Sequence, residues 1–262
     1  MDANDTRALL LLAVRLARRA AAAIMAVREQ GFTVARKSDA SPVTAADRAA
    51  EALIVAGLRQ ATPDIPVVAE EEVAEGRTTE AGPQFWLVDP LDGTREFAAG
   101  RDEFAVNVGL VRNACPLLGA VALPASGAVY AAIVGVGAWR QNANGREKPI
   151  SARMPPAAGL AVMASRHYAD DPKLAAYLKG RPVASLINVG SAMKFCTLAE
   201  GTADLYPRLG RTMEWDTAAP QAVLEAAGGS VCTLEGAPLR YGKPGWENPP
   251  FICTGKQNPD AD

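Results

Sequence analysis

From Ala8 to Gly31 the chain reads ALLLLAVRLARRAAAAIMAVREQG, an apolar run interrupted by Arg15, Arg18 and Arg19 and preceded by Asp2 and Asp5. A membrane span or an export signal would not carry charges through its middle, so the pattern predicts an amphipathic helix that stops at Gly31. A second helix is expected over Thr44 to Gln60. Thr44 can cap the free amides at its start, and Asp47, three residues on, can reach back as in a capping box. Two short apolar runs, Ile65 to Glu70 and Phe85 to Asp89, read as buried strands, with the polar loop EEVAEGRTTEAGPQ between them. From Phe104 to Val136 the runs FAVNVGLV, PLLGAVAL and AVYAAIV, separated by turn residues, predict an antiparallel meander.

After NANGREKPISARMPPAAG the rhythm changes. LAVMAS, DDPKLAAYLK, ASLINV, AMKFCTLAEG, ADLYP, DTAAPQAVLEAAGG, SVCTL and FICTG alternate strand and helix character, as in an α/β arrangement. Prolines and small residues cluster from Met154 to Gly159, which suggests a division into an N-terminal α+β unit, residues 1–157, and a C-terminal α/β unit, residues 158–262. No internal repeat or low-complexity tract is evident.

Composition adds bounds. A chain of 262 residues with 49% hydrophobic content can build a large core. Its formal net charge of -2 gives no broad attraction for nucleic acid, so any hold on phosphate must come from local placement or a metal ion. Cys115, Cys196, Cys232 and Cys253 lie far apart without a CxxC pair, which argues against a zinc cluster or a disulfide framework and for the cytoplasm. The sequence leaves peripheral membrane association and a homodimer open, and predicts no transmembrane segment.

The chemistry concentrates in WLVDPLDGTREF, Trp86 to Phe97. Asp89 and Asp92 end what reads as a buried strand, where two carboxylates repel and are expensive to desolvate. Pro90 and Gly93 predict a tight turn that aims both carboxylates and the Leu91 carbonyl into one space, a hard oxygen set suited to a divalent cation such as magnesium. Asp47, Glu70 to Glu72 and Asp216 are companions. Each also has an ordinary reading: Asp47 and Asp216 can cap helices, the second with Pro220 in the first turn, and the glutamates can be solvated. Several more carboxylates would admit two ions, which suits phosphoryl transfer. If DGTREF opens a short helix, the Gly93 and Thr94 amides form an anion site, although Gly93 can also serve the turn alone. The single histidine has no paired nucleophile, and no phosphate-cradling GxxxxGK[ST] loop is present.

Taken in order, AEEE, DPLDGTREF and EWDTAAPQAVLEAAGG resemble the inositol monophosphatase superfamily of magnesium-dependent, lithium-sensitive phosphatases, over most of the chain. DPLDGT followed by Arg-Glu-Phe, GSAMKFCTLAEG and ADLYPRLGRTMEWDTAAP are similar to its CysQ-like branch of 3'(2'),5'-bisphosphate nucleotidases, which serve sulfur assimilation. The resemblance implies a layered α-β-α-β-α sandwich. It implies two or three magnesium ions held by Glu70, Asp89, the Leu91 carbonyl, Asp92 and Asp216. It also implies a water oriented by Thr94 and Asp47, and a phosphate held at Gly93 and Thr94. The implied reaction removes the 3'-phosphate of adenosine 3',5'-bisphosphate, with the sulfated analogue as a further candidate substrate. The alternatives are an inositol or sugar phosphatase and a non-catalytic phosphate sensor.

Ser165, Ser191, Lys194 and Arg208 are the candidates for the substrate's other end. Ser191 and Lys194, three apart at the start of a predicted helix, would share a face and offer a hydroxyl and an ammonium to a ribose or second phosphate. A solvated surface charge is the alternative for Lys194 and for Arg208. Relatives often carry Ser-Arg-Ser-His where this chain has Ser165-Arg166-His167-Tyr168, so no role is assigned to His167 or Tyr168.

Overall fold

Two antiparallel helices open the chain and cover one face of a large sheet. The computed structural model describes residues 3–36, 42–77, 79–166 and 171–257, so His167 and Tyr168 lie outside the described residues. Helix α1 (Ala3–Gln30) buries Thr6, Leu10, Ala13, Ala17, Ala20 and Ile24, a stripe recurring every three or four positions as the periodicity predicts. Strands β1 (Val34–Arg36) and β2 (Pro42–Thr44) form a small ribbon that leads into α2 (Ala45–Ala61). The expected capping box is present at α2. Thr44 N–H donates to Asp47 Oδ2 at 2.7 Å, and Thr44 Oγ1 accepts from Ala46 N–H at 3.1 Å, a cap that typically contributes roughly 1 kcal/mol. Among the described residues no helix is long and apolar enough to cross a membrane.

The chain then builds a seven-stranded sheet: β3 (Val67–Ala69), β4 (Gln84–Asp92), β5 (Ala105–Arg112), β6 (Cys115–Leu123), β7 (Ala128–Ile133), β8 (Gly137–Gln141) and β9 (Glu147–Ile150) lie in that order. Only the β3 to β4 pairing is parallel. Both faces are covered, which is why its central strands read as continuous apolar runs. Trp86 and Val88 turn toward α1 and α2, while Phe85 and Leu87 turn to the other side against Trp215 and Tyr241. Short helices α3 (Glu70–Ala74) and α4 (Thr94–Ala98) follow β3 and β4, and α3 replaces the start of the expected polar loop. Strands β8 and β9 extend the predicted meander by a hairpin. They escape a hydrophobic reading because β9, Glu-Lys-Pro-Ile, is a largely exposed edge strand, where a proline and charges are tolerated.

A second, mixed sheet of five strands takes the order β11-β10-β12-β14-β13. It is built from β10 (Leu160–Ser165), β11 (Val183–Val189), β12 (Leu205–Arg208), β13 (Ser230–Thr233) and β14 (Phe251–Thr254). Between the two sheets lie α6 (Met193–Ala199) and α7 (Ala218–Ala226), whose Phe195, Leu198, Val223 and Leu224 share a core with Val121 and Tyr130 of one sheet and Val231 and Phe251 of the other. Helix α5 (Pro172–Leu178) completes the layered α-β-α-β-α sandwich. Close packing of α7 depends on two strand glycines. A Cβ on Gly109 would lie 2.7 Å from Ala219 N, and one on Gly119 would lie 2.3 Å from the Ala219 carbonyl oxygen. The helix meets them with small residues, Ala218, Ala219 and Ala222, so sheet and helix backbones touch.

Candidate active site

The ends of β3 and β4, the start of α4 and the loop before α7 converge on a cavity of about 510 Å³. Its lining falls into two groups, a carboxylate wall of Glu70, Asp92, Gly93, Thr94 and Asp216 and a second wall of Ser165, Ser191, Lys194 and Arg208, which meet where Ala192 N–H bonds Asp92. Asp47, Asp89 and Leu91, each 1% exposed, lie beneath the wall.

The Asp89–Asp92 stretch is not the tight turn expected at Pro90. Strand β4 runs on to Asp92 with an extra residue: Asp89 pairs with Asn107 and Asp92 with Ala105, so three steps on β4 match two on β5. Asn107 and Ala105 are two apart and share a face of the sheet; the bulge therefore brings Asp89 and Asp92 onto one face, which a regular strand would put on opposite faces. The bulge also gives Pro90 a place in an interior strand. Asp89 Oδ1 accepts from Leu91 N–H at 3.0 Å and fixes it. The turn comes at Gly93, whose φ of 93° is left-handed and where a Cβ would lie 2.7 Å from the Glu103 carbonyl oxygen.

Carboxylate oxygens of Glu70, Asp89 and Asp216 lie within 4.8 Å of one another. Unit charges at that separation repel by on the order of 3 kcal/mol per pair at an effective dielectric of about 20, and three pairs approach the whole stability of a typical domain. The trio must hold protons or a cation. Burial and mutual charge act in the same direction. Burial, then Glu70, Asp92 and Asp216, pushes Asp89 well up, and burial with Asp92 and Glu70 pushes Asp216 to about 8. Asp92 is raised by burial to about 6, opposed by Lys194, by the Ala192 N–H that donates to Asp92 Oδ2, and by Arg208. An all-oxygen, strongly acidic and buried set fits a hard divalent cation.

Asp216 does not cap α7. It closes a short 3₁₀ turn, Glu214–Asp216, and its Oδ2 accepts from Met213 N–H at 2.9 Å. That turn is anchored by Glu214, fully buried, which accepts from Gly242 N–H at 2.7 Å and Lys243 N–H at 2.9 Å. Beside the trio, Thr94 Oγ1 lies 3.1 Å from Asp47 Oδ1 and 3.0 Å from the Leu91 carbonyl oxygen. Asp47 is thus both cap and site residue. Burial raises its pKa, and hydrogen bonds from Thr44 and Thr94 only partly offset that.

On the opposite wall the expected shared face of Ser191 and Lys194 is absent. Helix α6 begins at Met193, and Ser191 precedes it with a left-handed φ of 52°. Lys194 is not a solvated charge: it is 3% exposed, and its ammonium donates to the Val189 carbonyl at 3.0 Å and the Ser191 carbonyl at 2.6 Å. Burial lowers its pKa to about 8 against the pull of Asp92. Arg208, half-buried at the end of β12, donates to the Arg211 carbonyl at 2.8 Å.

Two neighbours of the site carry no strong sequence signal. Glu51, one turn after Asp47 on α2, accepts from Glu71 N–H at 2.7 Å and Glu72 N–H at 3.0 Å, capping α3 where the cap residue Ala69 offers no side-chain acceptor. Its spacing of four from Asp47 is the only hint. Glu103 bonds Gly190 and Arg166, the chain neighbours of the cavity-lining Ser191 and Ser165.

Comparison with known proteins follows the same lines. The profile of the inositol monophosphatase family matches residues 5–257. The 3'(2'),5'-bisphosphate nucleotidase CysQ of Escherichia coli K12 is 44% identical over 231 residues, covering 87% of this chain and 91% of that protein. The CysQ nucleotidase of Salmonella typhimurium is 43% identical over 245 residues, covering 92% and 97%. Among solved structures, CysQ from Bacteroides thetaiotaomicron, described as a bacterial member of the inositol monophosphatase family, superposes with a TM-score of 0.78 at 33% identity and covers 96% of this chain and 98% of its own.

Proposed function

The chain belongs to the inositol monophosphatase family, and from that premise we propose that it hydrolyses the 3'-phosphate of adenosine 3',5'-bisphosphate to AMP and phosphate. The convergence of half-buried Glu70 and Asp216 on buried Asp89 carries the metal-dependent reading, and the similarity to CysQ nucleotidases over most of the chain carries the substrate. Glu70, Asp89, Asp92, Asp216 and the Leu91 carbonyl would hold two or three magnesium ions. Bound there, such ions would supply positive charge that lets the carboxylates ionise together, and Lewis acidity toward a phosphoryl oxygen and a water.

The chain's own groups supply orientation and proton transfer. Asp47 Oδ2 is occupied by two donors from Thr44, which leaves Oδ1 to receive the Thr94 proton. The Thr94 oxygen then accepts from the attacking water, so a proton passes from water through Thr94 toward Asp47 as the water oxygen bonds to phosphorus and the bond to the 3'-oxygen breaks, the leaving oxygen taking a proton from solvent. The Gly93 and Thr94 amides at the start of α4 hold the phosphate, while Ser165, Ser191 and Arg208 face the nucleoside and its second phosphate and buried Lys194 adds its positive charge from behind Ser191. The raised pKa of buried Asp47 suits an acceptor.

We also assign the chain to the cytoplasm, on the strength of its four unpaired thiols, with a homodimer as the assembly that sedimentation would test. The division at residues 157 and 158 is proposed on the changeover between the two sheets, which falls between β9 and β10. A phosphate-release panel tests the substrate: strong preference for adenosine 3',5'-bisphosphate over inositol 1-phosphate, dependent on magnesium, is expected. Preference for the inositol ester would overturn the substrate, and tight nucleotide binding with no release would overturn the enzyme.

A further inference from the structure

Ser191 holds an unfavourable left-handed backbone with no glycine to relieve it. Its surroundings explain why it stays there. The amide before it, Gly190 N–H, donates to Glu103 Oε2 at 2.7 Å; the amide after it, Ala192 N–H, donates to Asp92; and its own carbonyl accepts from Lys194 at 2.6 Å. The Asp92 and Lys194 contacts belong to the site already described. Glu103 does not: it lies in the loop between α4 and β5, outside the metal cluster.

The same carboxylate receives a second, bidentate load. Arg166 Nε donates to Glu103 Oε2 at 3.2 Å, and Arg166 Nη2 bonds Glu103 Oε1. Arg166 follows Ser165, which lines the cavity at the end of β10. One side chain from the first half of the sequence therefore grips two segments of the second half, each carrying a cavity serine. The Glu103 backbone adds to the contact. A Cβ on Gly190 would lie 2.9 Å from the Glu103 carbonyl oxygen, so the loop sits directly on that residue. An ion pair this exposed, 38% for Arg166 and 21% for Glu103, contributes little to global stability. Its geometry, with three donors on one carboxylate, suits positioning.

We propose that Glu103 is a positioning residue for substrate discrimination: with Arg166 it sets the placement of Ser191 and Ser165, and through them the grip on the non-reacting end of the substrate. The inference rests on the reading of this cavity as the phosphatase site. It does not depend on which ester is preferred.

The test uses the full-length enzyme and the ester that the wild type turns over best in the phosphate-release panel. Glu103→Ala should raise KM for that ester about tenfold while leaving kcat and the affinity for Mn²⁺, read by electron paramagnetic resonance, within about twofold. Arg166→Gln should raise KM by about threefold, and the double variant should be no worse than Glu103→Ala alone, because Arg166 acts through Glu103. Glu103→Gln keeps an acceptor for Gly190 and should recover part of the loss. An unchanged KM in Glu103→Ala, or a parallel fall in kcat and Mn²⁺ affinity, would overturn the proposal. Preference of the wild type for an inositol ester would overturn only the nucleotide assignment, and the same KM comparison on that ester would still decide the role of Glu103.

Discussion

The two walls of the cavity are built on different principles. Most of the carboxylate wall is local: Asp89, Leu91, Asp92, Gly93 and Thr94 come from one bulged strand end and the turn of helix that follows, and Glu70 sits at the end of the neighbouring parallel strand, while Asp47 and Asp216 reach it from α2 and from the turn before α7. The opposite wall is assembled at long range. Ser191 is held through its neighbours: Gly190 N–H bonds Glu103, 87 residues earlier, and Ala192 N–H bonds Asp92, 100 residues earlier. One wall concentrates charge on short, stiff elements; the other takes its shape from side chains gripping backbone amides. Chemistry should therefore be lost by single changes on the first wall, and selectivity by changes on the second.

The largest effect is expected from Asp89→Asn. Neutralising this buried member of the carboxylate trio should lower magnesium-dependent turnover by roughly 10³-fold or more, measured as phosphate release at saturating metal. Thr94→Ala should cost about 10²-fold in kcat, the lower range for a lost proton-transfer group, with little change in metal affinity. If the two variants fell equally in metal binding, the separation between holding the ions and moving the proton would fail.

Glu51→Gln sharpens the contrast within the carboxylate wall. Glu51 touches no substrate, yet it fixes the amides next to Glu70 through α3, and an outer support of that kind typically carries 10- to 100-fold in metal affinity. The magnesium needed for half-maximal rate should rise about tenfold, with kcat recovered at high metal. An unchanged metal requirement would show that α3 keeps its place without Glu51.

The smallest effect is on stability, and it depends on pH. In the metal-free chain, burial and neighbouring charges raise Asp89, hold Asp92 near about 6 and hold Asp216 near about 8, all above their unfolded values. Groups raised on folding bind protons in the native state that the unfolded chain has released. Their stabilising contribution is therefore full below the ordinary carboxylate range and fades as pH climbs through the folded values. The metal-free Tm should fall between about pH 5 and about pH 8, and magnesium should reverse most of that fall. A metal-free Tm that rises with pH would contradict the buried, proton-holding cluster.

How much of this can be read from the chain alone follows the same division. The Thr44–Asp47 capping box, the helix stripe of α1 and the Asp89–Asp92 spacing are visible because their partners are neighbours in sequence. Even there the means differ from expectation: a strand bulge, rather than a turn at Pro90, puts the two aspartates on one face. Glu214 grips amides 28 and 29 residues on, and Glu51 caps a helix 20 residues on, contacts that leave no periodic trace. Lys194 and Ser191 were expected to share a helix face; a left-handed residue ahead of α6 breaks that spacing, and only the fold reveals that Lys194 is buried.

Magnesium titration of phosphate release from adenosine 3',5'-bisphosphate, run side by side on the wild type and Asp89→Asn, tests the central claim most directly. The account predicts saturable activation of the wild type, no turnover without the metal, and near-complete loss in the variant at every magnesium concentration. Wild-type turnover that persists after metal removal, or an Asp89→Asn variant that keeps its activity and its magnesium response, would contradict it.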